Sequence, residues 1–201
     1  PTQVVAALAS DAALLADHAA TTLAESVLGL LIGCAVGFAF AVLMDRFEIV
    51  YLAFSPLITV SQTVPTVAIA PLLVLWLGYG LAPKVVLVVL TTFFPITVSL
   101  VSGFRSVDPD LIDLMRTMNA TSAQIFWQVK IPTAAEQFFS GLKISATYAI
   151  VGAVIAEWLG GFSGLGVYMT RVRKSFAYDR MFAVIALISA LSLALMGAVG
   201  A

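Results

Sequence analysis

Long uncharged apolar runs, each near the twenty or so residues a helix needs to cross a bilayer, constrain this chain more than any other feature. No charged side chain occurs between Glu48 and Lys84, Leu23–Met44 carries only Glu25, and the run from Met181 to Ala201 carries none. With 61% hydrophobic residues, 10% charged residues and a mean hydropathy of +1.07, the chain lies outside the range of soluble domains. Its net charge of −1 leaves no nucleic-acid footprint. The expected fold is an all-α membrane protein, a single multi-pass helical domain over 1–201 with about five visible transmembrane helices. The spans are expected at 19–44, 57–78, 84–104, 134–157 and 180–201.

One polar island, Ser106 to Thr133, interrupts this pattern. Asp108 is a natural N-cap, Pro109 suits the first helical position, and Asp110 suits the positive end of the helix dipole. Leu111, Leu114, Met115 and Met118 then recur at helical spacing, which predicts a short amphipathic helix. Asn119 can stop it in a left-handed C-cap, Thr121 and Gln124 form a capping box for a second helix, and Pro132 is expected to close that one. Two short helices on a charged loop between spans form a docking surface for a soluble partner, or an ordered loop with none.

The rest of the chain offers little chemistry. Cys34 is a packing residue in an apolar run, and no partner for a disulfide exists. His18 stands alone and is expected to be solvated or interfacial. Val4, Val5, Leu8, Ala12 and Leu15 suggest an interfacial helix, and Asp11 and Asp17 exclude a signal peptide there. Gly29, Gly33 and Gly37 form a four-residue stripe on which another helix can pack closely. Glu25, near its span's end, is expected at the interface. Pro56, Pro65 and Pro71 predict a kinked span over 57–78, and Ser61, Gln62, Thr63 and Thr66 beside Pro65 are either pathway residues or interhelical packing groups. Thr133 and Glu136 read as a capping box for the fourth span, Lys143 as a snorkelling anchor, and Glu157 as an acid at an interface, gate or solute path. Gly160, Gly161, Gly164 and Gly166 predict a flexible connector. No Gly-Lys-Ser/Thr phosphate loop occurs, and no metal set, Ser-Lys pair or Cys-His pair supports a membrane enzyme.

The island resembles the signature loop of the membrane subunits of ATP-binding-cassette importers, E-A-A-x3-G-x9-I-x-L-P. Asp113-Leu114-Met115 stands for E-A-A, Asn119 for the glycine and Val129-Lys130-Ile131-Pro132 for I-x-L-P, with every interval kept. SVDPDL, GLKIS and AEWLGGFSGLGVYM are similar to the branch that imports sulfonates, nitrate, taurine and thiamine pyrimidine precursors, so the likeness covers nearly the whole chain. The resemblance implies a permease subunit in a bacterial inner membrane, with 106–132 as a cytoplasmic coupling loop. Its partners would be separate ATPase subunits that hold the ATP and magnesium, a second permease subunit (a homodimer) and an external solute-binding protein. This chain itself would need no cofactor. Asp113 and Arg116 would orient the coupling helix, Leu114, Met115 and Met118 would fill a groove on the ATPase, and Asn119 would fix the turn. The family's usual first span is expected to be missing.

Charge distribution opposes that orientation, because it puts Arg171, Arg173 and Lys174 outside, against the positive-inside rule. Arg105 just before the island and Arg116 and Lys130 on it offset the imbalance, and the motif takes precedence. The alternative is a secondary transporter driven by an ion gradient. It would need intramembrane acids, for which Glu25, Glu136 and Glu157 are the candidates.

Overall fold

The structure, a computed structural model, describes residues 2–61 and 63–200, with only the backbone at Ser61, and these residues form helices and turns without a strand. In order the helices are α1 (Thr2–Ser10), α2 (Ala12–Arg46), α3 (Glu48–Ser61), α4 (Thr66–Leu77), α5 (Leu81–Arg105), α6 (Pro109–Thr117), α7 (Ser122–Ile125), α8 (Ile131–Gly160), α9 (Leu165–Lys174) and α10 (Tyr178–Gly200). A π-helical turn, Phe126–Lys130, joins α7 to α8, so Ser122–Gly160 is one continuous rod. Among the described residues four helices are long and apolar enough to span a bilayer: α2, α5, this rod and α10.

The kinked span expected over 57–78 is two helices instead, α3 and α4. Pro65 has no N–H to continue a helix, and at φ −65°, ψ 115° it is extended and caps α4. With 12 residues, α4 rises about 18 Å, well short of a 30 Å apolar core. Pro132 is a second correction, since it lies in the first turn of α8 and ends nothing. The wider π turn just before it absorbs the hydrogen bond that proline cannot donate. Thr133 is consequently no cap: its Oγ1 donates to Val129 O at 2.8 Å, and Glu136 is an exposed residue inside the helix.

Helix α5 is the centre, packed between α2 and α8. A side chain at Gly29 would strike Val88, one at Gly33 would strike Thr92, and one at Gly37 would crowd Ile96, so the glycine stripe does let α5 approach closely. On α8, Gly141 meets Ser99 and the Pro95 carbonyl, while Gly152 faces Thr91. Thr97 Oγ1 donates to Gly37 O at 3.4 Å, and Ser145 Oγ to Thr92 O at 3.0 Å. Phe104, Leu100, Ile96 and Val88 fill the interior between the three helices. Helix α1 lies against α10, and Lys143 is exposed on α8 with its stem beside Gly200.

Candidate functional site

Two assemblies of polar residues lie at opposite ends of the α8 rod. At its amino end, α6 forms as its local sequence dictates. Asp108 Oδ1 accepts from Asp110 N at 2.9 Å and Pro109 occupies the first turn. The helix stops at Asn119, with φ 58°, where Asn119 N donates to Arg116 O and Ala120 N to Met115 O, both at 3.0 Å. Those two bonds make a Schellman cap on a non-glycine residue. Thr121 and Gln124 then close the expected capping box, which starts α7.

Helix α6 buries none of its residues fully. Ile112 and Met115 turn partly inward, whereas Leu114 is 55% and Met118 72% exposed, with Leu111 beside them. The expected apolar set is thus divided, with Met115 facing home and Leu114 and Met118 facing out. Asp113 and Arg116 pair at 3.1 Å, but both side chains are more than two-thirds exposed, so the pair adds at most about 1 kcal/mol and leaves the guanidinium open to a partner. Lys130 Nζ meets Asp45 at 2.6 Å, and Arg105 grips Glu48 through two nitrogens at 3.1 and 3.2 Å while stacking on Tyr51. That grip holds the exposed Glu48 carboxyl below its usual range. These pairs tie the α2–α3 turn to the rod and to α5 at the same end as α6.

Asn119→Val is expected to misplace α6, because a β-branched side chain at φ 58° costs about 1–2 kcal/mol. Asn119→Gly should leave α6 in place. Hydrogen–deuterium exchange across α6 would separate the two, and equal protection in the valine variant would show that the turn does not need Asn119.

At the far end of the rod lies a polar knot that sequence reading missed. Glu25, expected at an interface, is buried and bonded to the buried Lys84 on α5 at 2.5 Å. Glu157 is 1% exposed. Thr22 Oγ1 donates to its Oε1 at 2.7 Å and Gly166 N to its Oε2 at 2.6 Å. Leu165 N in turn donates to Thr22 Oγ1 at 2.9 Å, and Gly164 N to His18 Nδ1 at 2.9 Å. His18 is therefore neither solvated nor interfacial, and the glycine connector is pinned to α2 and α8 by three backbone N–H groups. Glycine is required there: Gly164 has φ 116°, and a side chain at Gly164 would overlap the Glu157 carboxylate. Outside the spans, Tyr168 O–H donates to Asp11 Oδ2 at 2.6 Å with Arg180 at 3.4 Å. The tyrosine bond and the guanidinium lower the Asp11 carboxyl, while burial and that same bond push the phenol up to about 12.

Of the pathway candidates, Thr63 and Thr66 are described and lie apart from Glu157 in hydrogen bonding. Gln62 lies outside the described residues, as does the side chain of Ser61. Thr63 is exposed in the α3–α4 break with its hydroxyl on Val60 O, and Thr66 opens α4. No hydrogen bond among the described residues joins them to Glu157, whose carboxylate is engaged within the subunit. A cavity of about 500 Å³ opens at the knot's end, lined by Tyr79, Trp158, Phe162, Arg171 and Lys174 among others. The basic cluster on α9 was visible in the sequence. The burial of Glu25, Lys84 and His18 was not, because nothing local distinguishes an acid at a span's end from one facing another helix.

Residues 29–201 match the family described as binding-protein-dependent transport system inner membrane component. A probable ABC transporter permease protein of Haemophilus influenzae is 38% identical, over 97% of this chain and 80% of its own. The formylaminopyrimidine transport permease protein ThiX of Halalkalibacterium halodurans is 39% identical, over 88% and 70%. The taurine transport system permease protein TauC of Escherichia coli is 30% identical, over 88% and 64%. In fold, the chain superposes on the MetNI methionine ABC transporter in an inward-facing conformation with a TM-score of 0.78 at 19% identity, over 92% of this chain and 93% of that one.

Proposed function

The chain belongs to the binding-protein-dependent transport system inner membrane components, the permease subunits of ATP-binding-cassette importers, and from that premise we propose that α6 is where it meets a separate ATPase chain. The observation that carries this reading is the outward apolar face of α6, on which Leu114 and Met118 stand exposed on a capped helix beyond the membrane spans. Apolar side chains left in water at 55% and 72% exposure on a well-formed helix fit a groove on a partner. Arg116 stands beside them for a polar contact, and Asn119 and the α7 capping box fix the angle of presentation. Pro132 contributes by opening α8, the part of the rod that runs to the far end of the bundle.

ATP and magnesium bind on the partner, since this chain carries no phosphate loop. Two copies of the permease enclose one path, and nucleotide drives the switch by binding one state of the assembly more tightly than the other. At the α3–α4 break, the polar groups Thr63 and Thr66 border that path. An external binding protein delivers solute at the end opposite α6, where Arg171 and Lys174 line the open cavity and suit an acidic rim. For the solute we favour an aminopyrimidine of the thiamine-precursor type over a sulfonate. The formylaminopyrimidine relative is the more similar of the two named, and the buried cation among the described residues, Lys84, is already paired with Glu25.

Co-purification of the permease with its ATPase from membranes tests the coupling reading. Met118→Asp together with Leu114→Asp should abolish association, since a carboxylate in an apolar groove costs several kcal/mol, while Arg116→Glu should only weaken it. Undiminished association of the double aspartate variant would exclude α6 as the contact.

A further inference from the structure

We propose that the basic cavity enclosed by the end of α2, α6 and the start of the α7–α8 rod binds the phosphate-bearing headgroup of an anionic phospholipid. The cavity measures about 550 Å³ and is lined by Arg46, Arg116 and Lys130 against a single carboxylate, Asp45. Lys130 is neutralised by Asp45, and Arg116 is held by Asp113 through one nitrogen. Arg46 has no carboxylate partner among the described residues, and its guanidinium lies 5.5 Å from the centre of the Phe47 ring. An uncompensated guanidinium and a half-free one, converging on an open cavity, match a phosphodiester.

Height in the membrane points to a lipid as its source. Helix α2 has 35 residues and is about 52 Å long against a 30 Å apolar core, so its last turn reaches the headgroup layer. Trp127 lines the same cavity and is 64% exposed, the placement an indole takes at a membrane interface. Leu43 and Phe47, 42% and 51% exposed at that end of α2, give acyl chains an apolar surface beside the cationic one. A soluble phosphate would use the cations alone, whereas a lipid uses both surfaces. This inference does not depend on α6 docking an ATPase.

Brominated lipids test it, because bromine quenches an indole only on contact. Permease carrying Trp76→Phe and Trp158→Phe keeps Trp127 as the single tryptophan of residues 1–201, and is reconstituted in vesicles of phosphatidylcholine with brominated phosphatidylglycerol or brominated phosphatidylcholine. Trp127 should favour the anionic lipid by about fivefold, the effect of one cation near a membrane surface. Arg46→Gln should bring the ratio to about one, and Arg173→Gln, in a basic cluster at the other end, should leave it unchanged. Equal quenching by both lipids, or a preference that survives Arg46→Gln, overturns the proposal. A Trp127 emission shift on adding inorganic phosphate to phosphatidylcholine vesicles, without a lipid preference, would assign a soluble ligand and overturn the lipid.

Discussion

Lys84→Met is expected to lower the thermal midpoint of the purified permease by about 10 °C. Lys84 is the cation beside Glu25, both groups are buried, and they meet at 2.5 Å within helices that cross the membrane. Removing one member strands the other, which costs about 3–5 kcal/mol, and each kcal/mol moves the midpoint of a chain this size by about 2–4 °C. The pair itself is a different quantity. Removing both charges with Glu25→Leu and Lys84→Met replaces a costly desolvated pair by apolar packing, so the double variant should return close to the wild-type midpoint. Transport by the double variant then decides the pair's role. Full activity would make it a device for aligning α2 with α5, whereas loss of uptake at normal stability would place it in the transport cycle. A single variant as stable as wild type would mean that water reaches Glu25.

Glu157→Ala should release the connector between α8 and α9. Two donors, Thr22 Oγ1 and Gly166 N, lose their acceptor inside the bundle, and hydrogen bonds to a carboxylate are worth about 1.5–3 kcal/mol each. A local loss of about 3 kcal/mol corresponds to about a hundredfold faster amide exchange at Gly164, Leu165 and Gly166, read by hydrogen–deuterium exchange. Glu157→Gln keeps one acceptor and should fall between. Unchanged protection in the alanine variant would show that His18 and the backbone hold the connector without the acid. Because the connector borders the cavity at the end opposite α6, faster exchange should be accompanied by slower ATP-driven uptake.

Legibility in the sequence followed the range of the interactions. The caps of α6 and α7 were readable residue by residue, because Asp108 to Asp110 and Thr121 to Gln124 close within three positions. The left-handed turn at Asn119 was readable because asparagine tolerates it. Phe176 ends α9 with the same two cap bonds at φ 57°, and a bulky residue gives no such signal. Apolar run length identified four helices long enough to span but overcounted the stretch around Pro65, where no charge interrupts the run and one missing N–H breaks the helix.

By itself, then, the sequence determined the membrane class, the polar loop of α6 and α7 with its caps, and the glycine face of α2, each written in neighbours or in a helical period. Only the tertiary structure decided that Glu25, Lys84, His18 and Glu157 are interior groups. Their partners lie 59 positions apart for Glu25 and Lys84, 135 for Thr22 and Glu157, and 146 for His18 and Gly164. A polar residue near the end of an apolar run satisfies the same local pattern whether it faces headgroups or another helix. The choice is made by packing, which brings α2, α5 and α8 close enough to exclude water and leaves each buried charge or amide only the partner that the other helices supply.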